Sequence, residues 1–276
     1  YTVRATSTAN GCTSGMTGSA TVSVNAAPTT FTVSGGGAYC AGSTGANISL
    51  SGSSTGVTYQ LFVGSTPVGG PVSGTGSTLA LGTYTTIGTY SAVATVTLTG
   101  CTGNMAGSAS ITTYTLPTVY NVTGGGSYCS GGLGVNVGLS GSESGITYQL
   151  YNGTSPVASV SGTGAAITFG PQFSAGSYSV RATNTSTSCV NGMAGLATVS
   201  INPLPSVFVA TGGGTLCTGG SGVGITLSGS QTGVNYQLYN GASPVTGGLV
   251  PGSGSAISFG TYATAGVYSV LAINPV

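Results

Sequence analysis

Hydrophobic and polar residues alternate along most of this chain, in short runs separated by Gly, Ser, Thr and Asn. Residues 178–183 put Tyr178, Val180 and Ala182 on one face and Ser179, Arg181 and Thr183 on the other. Residues 197–201 do the same with Ala197, Val199 and Ile201. A period of two marks a half-buried antiparallel strand, and no stretch carries the helical period. Between 28 and 116 the pattern predicts strands at 30–34, 46–51, 57–63, 67–72, 78–81, 89–96 and 108–114. In the strand at 57–63, Val57, Tyr59 and Leu61 point inward. Their equivalents are Ile146, Tyr148 and Leu150, then Val234, Tyr236 and Leu238.

The word "equivalents" rests on a repeat. The run GGGAYCAGSTGANISLSGSSTGVTYQLFVG begins at Gly35, and close copies begin 89 residues later at Gly124 and 88 residues after that at Gly212. A fixed period of this size is the signature of a tandem array. The chain therefore reads as all-β, built of tandem sandwich repeats of about 88 residues. Residues 1–27 are the C-terminal strands of a partial preceding repeat, since 1–24 match 90–113 and 178–201. Complete repeats span 28–116 and 117–204, and 205–276 forms a third that lacks its last strand. The simplest reading is a window on a longer polypeptide. The alternative is head-to-tail completion, in which one subunit's first strands close the last sandwich of the next. The joints at 25–28, 114–117 and 202–205 are short and carry proline, so they restrict rotation more than a Gly/Ser linker would. The expected object is a semi-rigid rod to which each unit adds roughly 30–40 Å.

Composition then removes most chemistry. Charged residues make up 1% of the chain, where roughly a quarter is ordinary. There is no His, Lys, Asp or Trp, and Glu143 is the only acidic side chain. General acid–base work needs a titrating pair, a nucleophilic Ser or Cys needs a base, and calcium needs several carboxylates. No enzyme, metal or cofactor site is expected. No apolar run reaches the ~18–20 residues of a spanning helix, and without a basic patch nucleic acid is not an expected partner. Arg4, Arg181 and Glu143 read as solvated surface residues.

Six cysteines, Cys12, Cys40, Cys101, Cys129, Cys189 and Cys217, are separated by gaps that alternate between 28 and about 60 residues. Regular pairs without His or a CxxC spacing read as disulfides, hence an oxidising, extracellular setting. The leading expectation pairs them within repeats, Cys40–Cys101 and Cys129–Cys189, leaving Cys12 and Cys217 to partners outside the window. Neighbours in sequence could pair instead. The ordinary sandwich strand order counts against both schemes and favours a junction bond such as Cys40–Cys189.

Tyr90, Tyr178 and Tyr268 each follow a turn glycine by two residues, which resembles the tyrosine corner of the sandwich fold. The triple glycines at 35–37, 124–126 and 212–214 lack the context of a phosphate loop and are expected to bend the first strand or allow close backbone approach. Phe62, Tyr151 and Tyr239 fall on an outward position once per repeat. They are the candidate contact row, suited to stacking on sugars or on another rod, unless each covers a neighbouring hairpin side chain.

A Cys-x-Gly before a V/I-x-L strand, then G-x-Y-x-V-x-A, a short gap, Cys, and a strand ending in Pro-x-Pro resemble immunoglobulin-like repeats of giant surface proteins of Bacteroidetes-type bacteria. Adhesins of gliding and type nine secretion systems are among them. The resemblance covers essentially the whole chain and implies secretion, display as stalks or filaments, and adhesion, often to polysaccharide. The expected function is a structural or adhesive segment whose partners are neighbouring repeats or identical subunits in a fibre. With so few titrating groups, assembly is expected to be indifferent to salt and to pH between about 5 and 9. The alternative is a module binding carbohydrate or ice through its aromatic or Thr-rich faces.

Overall fold

A computed structural model describes residues 1–275. Every regular element among them is a β-strand. The chain opens with a two-stranded ribbon, β1 (Arg4–Thr6) and β2 (Thr13–Gly15), whose residues are all exposed.

The first complete repeat comprises β3 (Val33–Gly35), β4 (Gly37–Cys40), β5 (Ala46–Leu50), β6 (Val57–Val63), β7 (Thr66–Ser73), β8 (Leu79–Tyr84), β9 (Gly88–Val96), β10 (Thr102–Asn104) and β11 (Ala109–Tyr114). One sheet has the order β3-β5-β8, the other β4-β11-β9-β6-β7, with β10 also on β9. Two sheets joined in this order make an immunoglobulin-like sandwich. Its core holds the inward residues that alternation picked out. Tyr59 and Tyr90 are fully buried, with Ile48, Leu50, Leu61, Ala92, Ala94 and Ile111 around them.

Buried phenols need hydrogen-bond partners, and both have one. Tyr90 donates to the Thr86 carbonyl at 2.8 Å, closing the expected tyrosine corner, as Tyr178 does to Ser174 and Tyr268 to Thr264. The Tyr59 hydroxyl accepts the Ser54 N–H at 2.9 Å, and Tyr148 and Tyr236 repeat this with Glu143 and Gln231. Burial pushes the Tyr90 and Tyr148 phenols above the ordinary tyrosine value. Folded phenols thus hold their protons where unfolded ones release them, so stability is whole below about pH 10 and falls above it. Urea midpoints should drop between pH 9 and 11, and drop less in a Tyr90→Phe/Tyr148→Phe variant.

The triple glycine is where the first strand changes sheets. β3 pairs antiparallel with β5, and β4 pairs in parallel with β11, its Gly37 opposite Ile111 and its Cys40 opposite Tyr114. Gly35 and Gly36, at φ of 95° and 74°, bridge the two. A Cβ at Gly35 would overlap the Asn47 carbonyl oxygen, and one at Gly36 would lie 2.5 Å from that of Ser110. The bend and the close approach foreseen for these glycines are the same event.

The second repeat copies this plan. Val122–Gly124, Val135–Leu139 and Ile167–Gln172 form one sheet, and Gly126–Cys129 joins the other in parallel with Ala197–Asn202. In the third, Ala210–Gly212, Val223–Leu227 and Ile257–Tyr262 form one sheet, and Ser243–Pro251, Asn235–Asn240 and Tyr268–Ile273 the other. No counterpart of β11 occurs among its described residues, and residues 214–217, the counterpart of β4, form no strand. A parallel edge strand needs its partner. Tyr268, Val270 and Ala272 are correspondingly only half-buried.

By contacts the chain divides into two compact units. One comprises Tyr1–Val119, Gly145–Thr147 and Ala182–Asn191, and the other Tyr120–Ser144, Tyr148–Arg181 and Gly192–Val276. The first unit therefore contains a turn of the second repeat as well as the whole first repeat.

Candidate functional site

That turn carries Cys189, and it is bonded to Cys40. The Cα atoms stand 5.5 Å apart, inside the ordinary disulfide range. The leading expectation, Cys40–Cys101 with Cys129–Cys189, is thereby corrected. Among the described residues, Cys12, Cys101, Cys129 and Cys217 form no disulfide. Strand order explains why. β4 ends at Cys40 beside Tyr114, three residues before Pro117, because the Ala41 N–H donates to the Tyr114 carbonyl at 3.0 Å. Cys101 lies in the turn between β9 and β10 at the opposite end, its sulfur 4.0 Å from the Asn25 carbonyl oxygen. Cys189 occupies the same turn of the second repeat, where Asn191 Nδ2 donates to the Pro117 carbonyl at 2.8 Å. Both Cys40 and Cys189 thus sit at the 114–117 joint.

The turn itself is built by Asn184. Its Oδ1 accepts the Ser186 and Thr187 N–H groups, while its backbone carbonyl accepts that of Ser188 at 2.9 Å. Ser188 is held at φ 59°, the only non-glycine in the left-handed region among the described residues. Gly11 and Gly100 take that conformation in the equivalent turns. A side chain there costs roughly 1–2 kcal/mol. Ser188→Gly should stabilise the protein by about 1 kcal/mol against urea, with the disulfide retained on peptide mapping.

The aromatic row is less exposed than parity suggested. Phe62, Tyr151 and Tyr239 are each half-buried. Phe62 lies between Ser91 and Pro67 of the flanking strands, and Tyr239 between Ser269 and Pro244. Over the Tyr151 ring stands the Arg181 guanidinium, 5.7 Å from its centroid, a cation–π contact. Arg181 is therefore not simply solvated, and Arg4 donates to Thr13 Oγ1 at 2.8 Å.

Two features escaped the alternation pattern. Ser53 is buried, donates to the Ser77 carbonyl at 2.7 Å and accepts the Thr75 N–H at 2.9 Å, and Ser142 and Ser230 recur in the same role. The recurring Ser-Gly-Ser at 51–53, 140–142 and 228–230 was the available signal. The second is a methionine four residues after the turn cysteine, at Met16, Met105 and Met193. Met105 is buried, its N–H donating to the Ala92 carbonyl at 2.8 Å while its sulfur accepts the Phe31 N–H at 3.4 Å. Met193 repeats both bonds with Val180 and Tyr120.

Among the described residues, no group of three or more His, Cys, Asp and Glu stands close enough to hold a metal, and no helix is long and apolar enough to cross a membrane. Sequence and geometry together define tandem immunoglobulin-like sandwiches with a disulfide between consecutive repeats.

No protein-family model matches the sequence, and no curated protein matches it. Solved structures with similar folds include the fibronectin(III)-like modules of Clostridium thermocellum CbhA. They are 15% identical, over 61% of this chain and 94% of that one, with a TM-score of 0.33. The ICAM-5 D1–D4 ectodomain fragment is 15% identical over 91% of this chain and 73% of that one, also at 0.33. The chicken CNTN1 FN1–FN3 domains are 12% identical over 83% and 89%, at 0.26.

Proposed function

We propose that this chain is a structural or adhesive segment of a large extracellular surface protein, one that builds a stalk or filament. The observation that carries the reading is the Cys40–Cys189 bond across the 114–117 joint. A disulfide persists in oxidising compartments, and one placed between repeats stiffens an array without serving a binding pocket. The reading is non-catalytic, in keeping with a sequence that has no His, Lys or Asp. The resemblance to adhesin repeats of gliding and type nine secretion systems points the same way.

Carbohydrate binding draws less support, because Arg181 covers one face of the Tyr151 ring that a sugar would stack on. To test the main reading, intact cells are labelled with antibody against residues 1–276 and viewed by electron microscopy. Label along surface fibres is expected. Label found only after the cells are permeabilised overturns the proposal.

A further inference from the structure

The second repeat departs from the other two along one edge. In each repeat an outer strand follows the core strand that holds Tyr59, Tyr148 or Tyr236, and its far side presents a row of unpaired backbone N–H and C=O groups. In the first repeat that strand is β7. Gly69, Gly70 and Pro71 interrupt it, Gly69 at φ 67°, and its register slips between Tyr59 and Leu61. In the third, Gly247 and Gly248 do the same, with the slip between Gln237 and Tyr239. Interruptions of this kind keep an edge from pairing with another chain. The strand of the second repeat, Ser155–Ser161, has no glycine, no charge and no proline beyond Pro156. Gln149 Nε2 donates to its Ala158 carbonyl at 2.8 Å and holds it against the sheet.

The seam behind this edge is open as well. In the first repeat Tyr84 closes it. The Tyr84 ring stands 5.5 Å from that of Tyr90, and its hydroxyl donates to the Leu81 carbonyl at 2.9 Å. A Cβ on Gly69 of β7 would come within 2.7 Å of that hydroxyl oxygen, so the ring reaches the edge strand. Tyr262 and Tyr268 repeat the pair at 5.5 Å. Their counterpart in the second repeat is Gln172, whose shorter side chain donates to the Phe169 and Gly170 carbonyls at 3.3 and 3.2 Å. A hollow of about 670 Å³ remains, lined by uncharged residues that include Ser155, Val157, Ala158, Gln172, Phe173 and Tyr178. Two apolar side chains stand open beside it. Phe173, where the other repeats have Thr85 and Ala263, is 59% exposed. Val157 is 46% exposed, whereas its counterparts Val68 and Val245 are half-buried.

We propose that Ser155–Ser161 of one copy pairs antiparallel with the same strand of a second copy about a two-fold axis. Two sheets become one, and Val157 and Phe173 of both copies pack over the seam. A second copy fits because the patch is its own complement. Each strand supplies the N–H and C=O groups that the other lacks, and the apolar pair of each covers that of the other. Repulsion is absent, since the whole chain carries two basic side chains and one acidic. An ordinary surface, about a quarter of it charged, would bring ions to be buried against an edge that has none to answer them.

The test uses the purified 276-residue chain, its unpaired cysteines capped with iodoacetamide to prevent disulfide multimers, in sedimentation velocity. A reversible dimer at twice 26.3 kDa is expected, growing with concentration. Amide hydrogen exchange should slow at residues 155–161 in the dimer and stay unchanged along β7. Val157→Lys sets like charges against each other and should weaken the dimer about 10-fold or more. Phe173→Thr, which installs the residue of the first repeat, should weaken it too. Thr66→Lys on β7 is the control and should leave it intact, and circular dichroism of all three variants should match the parent. A monomer at every concentration up to about 100 µM would overturn the proposal. So would a dimer that neither Val157→Lys nor Phe173→Thr weakens, or one whose exchange slows elsewhere than at 155–161. The pairing goes beyond the extracellular reading and does not depend on it, so either can fail while the other stands.

Discussion

Gly124→Ala is expected to destabilise the second repeat by about 3–5 kcal/mol, combining left-handed backbone strain with a clash that has nowhere to relax. Gly124 sits at φ 86° at the end of the strand that pairs with Val135–Leu139. A Cβ there would overlap the Asn136 carbonyl oxygen, which is backbone and cannot swing aside. Gly131→Ala is the control, at φ 80° with nothing within 4 Å of the added carbon. It should cost only the backbone contribution, about 1 kcal/mol. Urea unfolding of the two variants decides the matter. Equal losses would mean that the carbonyl contact is irrelevant and that φ alone reserves these positions for glycine.

Tyr148 is expected to show a comparable loss that divides into two parts. The residue is fully buried, and its hydroxyl accepts the Glu143 N–H at 2.9 Å. Tyr148→Ala removes a whole ring from a packed core, which typically costs about 3–5 kcal/mol. Tyr148→Phe keeps the ring but strands the Glu143 N–H, a loss of about 1–2 kcal/mol. Chemical denaturation of both variants separates packing from hydrogen bonding. If Phe proved as damaging as Ala, the hydroxyl would be the anchor of the loop and the ring incidental.

These two residues also mark what could be read from sequence. Tyr148 was legible because a strand with one wet face repeats every second residue, and three copies of the strand agree on the phase. Gly124 was legible as a bend because a run of three glycines recurs with no phosphate-loop context. What the bend leads to was not. The strand Gly126–Cys129 is short, has no strict alternation, and finds its parallel partner at Val199–Asn202, far along the chain. Local pattern carries no record of such a pairing. The cysteines were half legible: ordinary strand order already favoured Cys40–Cys189 over the leading within-repeat pairing, and the place of the sheet-switching strand beside β11 carries Cys40 to the end of its repeat opposite Cys101. The cover over one of the outward aromatics was hidden for a related reason. Parity gives the face of a strand, but Arg181 reaches Tyr151 from another strand, and parity is silent about that.

The Cys40–Cys189 bond has a mechanical consequence. Pulled by its two ends, the oxidised chain passes tension across one covalent bond that spans 149 residues of sequence. The polypeptide between those cysteines is off the load path, so even after its sandwiches open it cannot be drawn out. At full extension that stretch would add on the order of 500 Å of contour length. Oxidation therefore fixes how far this part of the molecule yields under load, and reduction releases the reserve.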